Sequence, residues 1–435
     1  MLIQYGSAPL HGTISMPPSK SAAHRLILGA ALAALSGHGR STVHPVDLSN
    51  DIKATLHAVQ QMGFSLSYEE ATRTVTVEPG WQKPGSCTLD CGESGSTLRF
   101  LIPLAAALGI TATFVGHGKL PQRPIGCFDE CLPQNGAQLV TEGGLPLTVS
   151  GQLKPGTYAL PGHVSSQFIT GLLYALPLLP GDSTIVLTTP LQSAGYVDMT
   201  IQALSYFGIT VHPTKNGWQV PGHQTYTPGD VTVEGDWSQA AFFLMHGALA
   251  GGPLSLKGLR MDSTQGDRAI TDLMLRFGAD VEEENGILTV QNPLASEPFA
   301  GLCAMDIDAG EIPDLVPALA VVAALSEGVT QIYNAGRLRI KECDRLQAMA
   351  DNLNRLGGQV ETTEDSLLIT GVPRLRGGDV PGYNDHRIVM AMSGAALRCD
   401  GPVTVTEAES IRKSYPGFFD DARALGGDLH VIHDR

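Results

Sequence analysis

Charged residues are scarce in this chain of 435 residues: they make up 16% of the sequence, against roughly 25% in an average globular protein. Basic residues are the scarcer sign, with 28 Lys and Arg against 43 Asp and Glu, and the formal charge is −15. A field of that sign repels nucleic acids and anionic membranes, so we expect neither as a partner. Net charge does not exclude a small site in which positive charge is concentrated.

Long apolar runs and a basic, apolar N-terminal leader are also missing, so we expect neither a membrane span nor a signal peptide. Seven cysteines, an odd number, form no disulfide framework in so long a chain. These absences predict a cytoplasmic protein.

The four-residue spacing of Cys87/Cys91 and Cys127/Cys131 leaves zinc as an alternative. It is not the usual zinc spacing, and buried thiols are the favoured interpretation.

Motifs for common cofactors are absent as well. The sequence has no G-x-G-x-x-G after a strand, no H-E-x-x-H and no EF-hand loop, and Lys119 of Gly-His-Gly-Lys is followed by Leu120. We therefore predict no cofactor and no metal. What remains possible is metal-free chemistry on small phosphorylated or carboxylated molecules, carried by cations, helix N-termini and a few carboxylates.

What the sequence does contain is an internal repeat of about seventy residues. A helix ending in an apolar residue, then Gly, then a β-like run recurs six times, at Gly63, Gly136, Gly208, Gly278, Gly357 and Gly426. An Ala-rich helix, apolar nearly all round, recurs in step with it, at 22–35, 98–108, 168–179, 240–250, 315–325 and 388–397. Such helices are buried, and one unit alone is too small to bury one. We predict an α/β fold of six units in two domains, with three buried helices each.

Each buried helix starts at a polar cluster. The clusters are Ser19-Lys20-Ser21 with Arg25, Ser94-Gly95-Ser96-Thr97 with Arg99, Ser165-Ser166-Gln167, Asp236 with Ser238-Gln239, Glu311 with Asp314, and Asn384-Asp385-His386-Arg387. Helix capping alone explains any one of them. However, Lys20, Arg25 and Arg387 lie where the helix dipole disfavours cations. Cations in that place make sense if an anion is bound at the helix N-terminus.

Further basic residues lie outside these helices. Arg123 precedes a proline, which favours an extended or turn conformation. Lys341 and Arg345 are four residues apart, with Glu342 nearby, and could share a helix face. A solvated surface run of ion pairs is the alternative interpretation of that segment.

The motifs taken together resemble a known family. They are Pro17-Pro18-Ser19-Lys20-Ser21 with His24-Arg25, Gly92–Arg99, Ser165–Phe168, Glu234-Gly235-Asp236, Ile312-Pro313-Asp314, Lys341–Leu346, Tyr383–Arg387 and Lys413–Pro416. In this order they resemble the 5-enolpyruvylshikimate-3-phosphate synthases, or 3-phosphoshikimate 1-carboxyvinyltransferases, which are enolpyruvyl transferases. The resemblance covers nearly the whole chain.

The resemblance implies a two-domain inverse α/β barrel, with three βαβαββ-like repeats in each domain. The first domain would be residues 20–234, on the 3-phosphoshikimate side, and the second would be 1–19 and 235–435. The active site would lie in the cleft between them. The chain would be a cytoplasmic monomer that works without a cofactor.

The resemblance also implies a reaction of aromatic amino-acid biosynthesis, in the shikimate pathway to chorismate. The enolpyruvyl group of phosphoenolpyruvate would pass to the 5-hydroxyl of 3-phosphoshikimate, with release of phosphate. A tetrahedral intermediate would form by addition and collapse by elimination.

Roles carry over from the family where the residues match. The 3-phosphoshikimate ligands would be Lys20, Ser21, Arg25, Ser165, Ser166, Gln167, Ser193, Asp314 and Lys341. The phosphoenolpyruvate ligands would be Lys20, Gly95, Arg123, Gln167, Arg345, Arg387 and Lys413. Asp314 would be the base for the 5-hydroxyl, Glu342 the proton carrier at the methylene carbon, and Lys20 and Lys413 would assist the leaving phosphate. His386 would orient Glu342.

The sequence departs from the family pattern in two places. Arg337 stands where many members have Asn, and Glu93-Ser94 replaces the Asn-Ala that usually precedes the loop glycine. Gly95 is kept, so we expect inhibition by glyphosate in the phosphoenolpyruvate site.

Two alternatives remain. UDP-N-acetylglucosamine enolpyruvyl transferases have Lys-Asn where this chain has Lys20-Ser21, and a reactive Cys just ahead of the Arg-Pro pair. Here the nearest cysteine, Cys127, follows Arg123 instead. The other alternative is a non-catalytic anion sensor on the same scaffold, which retention of Asp314 and Glu342 disfavours.

Overall fold

A computed structural model describes residues 1–432 of the chain. The chain forms two compact units: one is Pro18–Val233, and the other joins Met1–Pro17 to the chain from Glu234 onward. The assignment of 3-phosphoshikimate to the first predicted domain, and the active site expected between the domains, stay predictions. No helix within the described residues is long and apolar enough to cross a membrane.

Strands and helices alternate along the whole described chain. The strands are β1 (Leu2–Tyr5), β2 (Gly12–Ser15), β3 (Ser41–His44), β4 (Phe64–Glu69), β5 (Thr74–Trp81), β6 (Ser86–Asp90), β7 (Thr111–Val115), β8 (Ala137–Thr141), β9 (Leu147–Gly151), β10 (Thr157–Leu160), β11 (Ser183–Leu187), β12 (His212–Thr214), β13 (Gly217–Val220), β14 (Asp230–Thr232), β15 (Leu254–Lys257), β16 (Asp280–Glu284), β17 (Ile287–Gln291), β18 (Ile307–Asp308), β19 (Val329–Tyr333), β20 (Gln359–Thr362), β21 (Leu367–Thr370), β22 (Gly378–Val380), β23 (Val403–Val405) and β24 (Leu429–Ile432). The α-helices are α1 (Lys20–Ala33), α2 (Asn50–Gln61), α3 (Gly95–Ala107), α4 (Ser166–Ala175), α5 (Ala194–Tyr206), α6 (Trp237–Ala250), α7 (Ile270–Phe277), α8 (Val316–Ala324), α9 (Arg345–Arg355), α10 (His386–Ala396) and α11 (Phe418–Ala424).

The strands form six four-stranded sheets of one design. In each, the first two strands are parallel and the next two pairings are antiparallel. The orders are β14-β3-β5-β4, β6-β7-β9-β8 and β10-β11-β13-β12 in one unit, and β2-β15-β17-β16, β18-β19-β21-β20 and β22-β23-β1-β24 in the other. The predicted α/β class, with six repeated units, is confirmed.

The N-terminal strands complete two sheets of the unit that continues at Glu234. In the first, β1 pairs antiparallel with β23, with Gln4 opposite Thr404. In the second, β2 pairs parallel with β15, with Thr13 opposite Ser255. In the other unit, β14 lies at the C-terminal end of the unit but pairs parallel with β3 of the first repeat.

Three helices in each unit are buried nearly all round: α1, α3 and α4 in one, and α6, α8 and α10 in the other. Small side chains allow these helices to approach closely. At Gly171 of α4, an added Cβ would lie 2.4 Å from the carbonyl oxygen of Arg99 in α3, which no side chain tolerates. This close packing brings the N-terminal turns of α3 and α4 together.

The repeated motif of a helix followed by Gly is found at five of its six predicted positions. All six glycines have the left-handed backbone that ends a helix, with φ between 77° and 113°. The helix predicted before Gly136, however, is only a short 3-10 turn, Pro133–Asn135. The preceding segment holds Pro121 and Pro124 and forms two more 3-10 turns, because each proline removes a backbone donor that an α-helix needs.

Candidate active site

The predicted site residues fall into two groups, one in each unit. Pro18–Val233 carries Lys20, Ser21, Arg25, Gly95, Arg123, Ser165, Ser166, Gln167 and Ser193. The unit that continues at Glu234 carries Asp314, Lys341, Glu342, Arg345, His386, Arg387 and Lys413. Many of them lie at the N-terminal turns of the buried helices. Ser193 precedes α5 instead, Lys341, Glu342 and Arg345 lie at the start of α9, and Lys413 ends a 3-10 turn.

The clusters do cap the helices. Ser19, Ser94 and Ser165 accept a hydrogen bond from a backbone N–H in the first turn of α1, α3 and α4. Asp236 and Asp385 do the same for α6 and α10. The polar cluster before α8 differs, because that helix begins after a 3-10 turn, Pro313–Leu315, with no side-chain cap. The Asp314 carboxylate therefore does not cap the helix.

Arg25 is a buried cation without an acidic partner. Its Nε donates to Thr200 Oγ1 at 2.8 Å, and its other nitrogens donate to the carbonyl oxygens of Ser21 and Tyr196 and to Thr170. The side chain is 2% exposed, and it forms no ion pair with any residue in 1–432. Burial lowers its pKa to about 10, so it is charged at neutral pH. A buried, uncompensated positive charge favours an anionic ligand.

Lys20, the first residue of α1, pairs with Asp51 of α2. The Nζ–Oδ2 distance is 2.7 Å, and both side chains remain partly exposed. Asp51 offsets the unfavourable helix dipole at this position. The lysine is thereby held at the start of a helix, where an anion also gains from backbone N–H groups.

Gln167 is fixed in orientation by a residue of α3. Arg99 Nη1 donates to Gln167 Oε1 at 2.6 Å, and Gln167 Nε2 donates to Ser96 Oγ at 3.0 Å. The same arginine donates twice to the carbonyl oxygen of Pro124. Arg99 thus joins the loop that follows Arg123 to α4.

Gly95 lies directly against Arg123. A Cβ on Gly95 would come within 3.0 Å of three atoms of the guanidinium group. The missing side chain therefore lets Arg123 approach the N-terminus of α3.

A buried chain of hydrogen bonds that the sequence did not predict joins α1, α2 and α3. It runs from His24 Nδ1 to Thr55 (2.8 Å), from Thr55 to Thr97 (2.6 Å) and from Thr97 Oγ1 to Ser94 (2.8 Å). Burial, Lys20 and Arg25 lower the pKa of His24 well below its usual value, so the ring is neutral. No spacing signal marks these residues, because they come together only when three helices pack.

In the second group, Asp314 lies between two guanidinium groups. Its Oδ1 accepts from Arg345 Nη1 at 3.0 Å and its Oδ2 from Arg387 Nη2 at 2.9 Å, while Lys341 Nζ is 4.0 Å away. Burial alone would raise the pKa of Asp314, but Arg387, Lys341 and Arg345 together hold it well below its usual value. The carboxylate is therefore a weak base in this arrangement.

Arg345 also contacts two further carboxylates. Its Nε donates to Asp385 at 2.7 Å and its Nη2 to Glu342 at 2.8 Å. Against the cost of burial, these acids and Asp314 raise the pKa of Arg345 above its usual value. The predicted helix face shared by Lys341 and Arg345 is not found, because Lys341 precedes α9 in extended backbone.

Two groups nearby titrate close to neutral pH. Burial, with Arg337 and Arg345 opposing Asp314, lowers the pKa of Lys341 to about 8. Burial, followed by the charge of Asp314, raises the pKa of Asp267 to about 7. Asp267, whose carboxylate accepts from Ser238, was missed in the sequence because Gly-Asp-Arg resembles an ordinary turn.

The remaining predicted residues are placed as follows. Lys413 Nζ donates to the Asn384 carbonyl oxygen at 2.6 Å and is 5% exposed. His386 Nδ1 lies 3.9 Å from Asp385 Oδ1, and its orientation of Glu342 stays a prediction. Ser193 is buried with a left-handed backbone, φ 56°, a strained conformation that is concentrated at functional sites. Arg337, the departure from the family pattern, donates to the Gly310 carbonyl oxygen.

Within residues 1–432 no group of three or more His, Cys, Asp or Glu could hold a metal ion. The paired cysteines differ in burial: Cys91 and Cys131 are buried, whereas Cys87 and Cys127 are partly exposed. Burial raises the pKa of the Cys127 thiol to about 11. The interpretation as buried thiols therefore holds for Cys91 and Cys131 but not for Cys87 and Cys127.

The sequence is similar to known proteins over nearly its whole length. A family model described as EPSP synthase (3-phosphoshikimate 1-carboxyvinyltransferase) matches residues 4–422. A 3-phosphoshikimate 1-carboxyvinyltransferase of Clostridium kluyveri is 44% identical over 426 residues, covering 97% of this chain and 96% of that protein. The enzyme of the same name in Clostridioides difficile is 41% identical over 437 residues, with 97% and 96% coverage.

Solved structures show the same fold. An EPSP synthase from Acinetobacter baumannii superposes with a TM-score of 0.82 at 28% identity, over 99% of this chain and 100% of that one. The enolpyruvyl transferase NikO from Streptomyces tendae, at 21% identity, has a TM-score of 0.79 over 99% and 98% of the two chains. The predicted inverse α/β barrel is thereby confirmed.

Proposed function

The chain belongs to the EPSP synthase family, and from that premise we propose how its own residues carry out the reaction. It transfers the enolpyruvyl group of phosphoenolpyruvate to the 5-hydroxyl of 3-phosphoshikimate and releases phosphate, a step of aromatic amino-acid biosynthesis. Family membership sets aside the two alternatives, the UDP-N-acetylglucosamine enolpyruvyl transferase and the non-catalytic sensor.

3-Phosphoshikimate is bound through its phosphate group by the first group of residues. The observation that carries this assignment is Arg25, a buried cation held by neutral partners alone. Lys20 is a second cation of the same unit, and Ser21, Ser165, Ser166 and Gln167 offer hydroxyl and amide groups at helix N-termini. Lys341 of the other unit is the third cation assigned to this substrate. The ligands of this substrate are Lys20, Ser21, Arg25, Ser165, Ser166, Gln167, Ser193, Asp314 and Lys341.

Phosphoenolpyruvate is bound by guanidinium and ammonium groups from both groups of residues. Planar guanidinium groups suit its carboxylate and phosphate, which each offer two oxygens in one plane. Gly95 supports this assignment by leaving room for Arg123 at a helix N-terminus. The ligands are Lys20, Gly95, Arg123, Gln167, Arg345, Arg387 and Lys413.

The chemistry needs one base and one proton carrier. Asp314 takes the proton of the 5-hydroxyl as that oxygen bonds to C2 of phosphoenolpyruvate, and Glu342 gives a proton to the methylene carbon. Glu342 then takes a proton back, the C2–O bond to phosphate breaks, and Lys20 and Lys413 stabilise the leaving group. The hydroxyl proton leaves on phosphate, which balances the reaction.

A direct assay tests the proposed function. Purified protein is mixed with 3-phosphoshikimate and phosphoenolpyruvate, and phosphate is measured over time. We expect release that depends on both substrates and falls at least about a hundredfold in Glu342→Gln and in Asp314→Asn, since each removes a proton-transfer group. Asp344→Asn, which removes a nearby charge but still caps α9, is the matched control and keeps its activity. No phosphate release by the wild type would refute the function.

The monomeric state, the cytoplasmic location and the inhibition by glyphosate stay predictions. So does the contribution of both units to a single active site, which the two lists of ligands require. Substitution in each unit separately, with turnover as the readout, tests that requirement.

A further inference from the structure

The carboxylate of Asp314 already occupies the two guanidinium groups assigned to phosphoenolpyruvate. It accepts hydrogen bonds from one terminal nitrogen of Arg345 at 3.0 Å and from one of Arg387 at 2.9 Å. The backbone carbonyl oxygen of Asp314 accepts from the other terminal nitrogen of Arg387 at 3.0 Å. These are the edges with which a guanidinium binds a carboxylate or phosphate. An anionic substrate and Asp314 therefore compete for the same donors.

The cluster around these arginines already contains more acids than cations. Four acids, Asp267, Asp314, Glu342 and Asp385, act on one another electrostatically around Lys341, Arg345 and Arg387. Bringing a further anion into this buried cluster is unfavourable unless one carboxylate gives up its contacts.

Two of the four acids also accept hydrogen bonds from groups other than the two guanidinium groups. Asp385 is fully buried and caps α10 by accepting from the Arg387 N–H. Asp267 is 2% exposed and accepts from Ser238 at the start of α6. Asp314 sits in a 3-10 turn without a capping bond and is 18% exposed at its side chain. It is also the carboxylate that contacts both guanidinium groups.

We propose that Asp314 and phosphoenolpyruvate compete for Arg345 and Arg387, and that Asp314 gives up its contacts with both arginines when that substrate binds. The inference rests on the proposed function, because it uses the assignment of both arginines to that substrate. Asp314 is then a placeholder for the substrate in one state and the reaction's base in the other.

The exchange also sets when Asp314 becomes basic. While Asp314 contacts the two arginines, Arg387, Lys341 and Arg345 hold its pKa down against the effect of burial, with Glu342 acting in the opposite sense. When the substrate neutralises the two arginines, Lys341 remains to lower the pKa of Asp314, but burial and Glu342 favour the protonated form with less opposition. Proton transfer from the 5-hydroxyl is thereby favoured only after phosphoenolpyruvate has bound.

Calorimetry with phosphoenolpyruvate alone tests the exchange. We expect Asp314→Asn to bind it about tenfold more tightly than the wild type, because the competing anion is gone and ~1.4 kcal/mol corresponds to tenfold. Asp344→Asn, which removes a charge next to Arg345 in sequence without releasing either arginine, changes the dissociation constant less than about twofold. Equal or weaker binding by Asp314→Asn would overturn the inference, because it would show that Asp314 supports the site rather than competing for it.

A measurement on the unchanged chain covers the case in which the variant does not fold. Crystals of the wild type soaked with phosphoenolpyruvate alone cannot turn over. We expect both Asp314–arginine contacts to be replaced by contacts from the substrate, and their retention in the occupied site would overturn the inference. Turnover of the wild type tests the function separately, so the two failures are distinguishable.

Discussion

Arg99 Nη1 and Gln167 Oε1 are 2.6 Å apart, in a contact that joins the first turns of two buried helices. Arg99 also donates through two nitrogens to the Pro124 carbonyl oxygen. Both bonded segments carry residues assigned to substrate, namely Gln167 itself and Arg123. Arg99 is therefore a positioning residue for two ligands at once.

Replacing Arg99 by lysine keeps the charge but removes this geometry, because a lysine offers a single nitrogen. We expect KM for phosphoenolpyruvate to rise roughly tenfold in Arg99→Lys, by the loss of charge-assisted hydrogen bonds worth roughly 1.5 kcal/mol or more. Steady-state kinetics checks this, with Arg73→Lys, an exposed ion-pair residue, as the control. An unchanged KM would show that Gln167 and Arg123 are held without Arg99.

The pH dependence of KM for 3-phosphoshikimate at alkaline pH should follow the titration of Lys341. The pKa of this partly exposed lysine is about 8, so it is charged below that pH and loses its charge as pH rises through it. We expect KM for 3-phosphoshikimate to rise above pH 8, by up to about tenfold per pH unit. In Lys341→Arg this limb should vanish, because arginine keeps its charge.

Arg337→Asn provides a matched test of the same lysine. Arg337 is one of the charges that lower the pKa of Lys341, so its removal should move the limb to higher pH. A profile of KM against pH from 7 to 9.5 measures both variants. A flat wild-type profile would contradict the role of Lys341.

Asp267 should make stability fall as pH rises. Its pKa is about 7 in the folded protein, above the roughly 3.9 of an unfolded chain. Between these values the unfolded chain releases a proton that the folded protein retains, so rising pH stabilises the unfolded state relative to the folded state. Below the lower value the effect is absent.

Asp267→Asn keeps an oxygen that can accept from Ser238 but has no charge to bury. We expect its stability relative to the wild type to grow from pH 4 to pH 7, by at most ~1.4 kcal/mol per pH unit. Urea unfolding at several pH values measures this difference. A difference independent of pH would show that Asp267 is ionised throughout.

The buried chain from His24 to Ser94 should contribute to stability through Thr55. Thr55→Val has nearly the same shape but leaves His24 and Thr97 without their bonded partner. We expect a loss of roughly 1–3 kcal/mol in the free energy of unfolding, measured in urea. Thr55→Ser retains the hydroxyl and should lose markedly less, and equal losses in both variants would point to packing instead.

The sequence predicted most of the fold because the determining features are local. Helices that are apolar on all sides, such as 315–325, must be buried wherever they occur, and six glycines mark helix ends at a nearly even spacing. The one wrong element, before Gly136, lies where prolines override a helix-like pattern. Local rules fail there because a missing backbone donor outweighs hydrophobic periodicity.

The site was less accessible from the sequence. Polar residues at helix N-termini, such as Lys20 and Arg387, could be identified because their charge is unfavourable in that position without a ligand. Asp267, Thr55 and the pairing of Arg345 with Asp385 could not, since these contacts form only through the packing of segments that are distant in the chain. The protonation of Asp267 depends on burial as well, which no spacing encodes.

As a member of its family, this chain transfers an enolpyruvyl group to 3-phosphoshikimate. The most direct test incubates the protein with phosphoenolpyruvate and equal amounts of 3-phosphoshikimate and UDP-N-acetylglucosamine, and identifies the products by mass spectrometry. We expect 3-phosphoshikimate alone to gain one carboxyvinyl group, with one phosphate released for each. A carboxyvinyl group on the nucleotide sugar, or on neither acceptor, would contradict it.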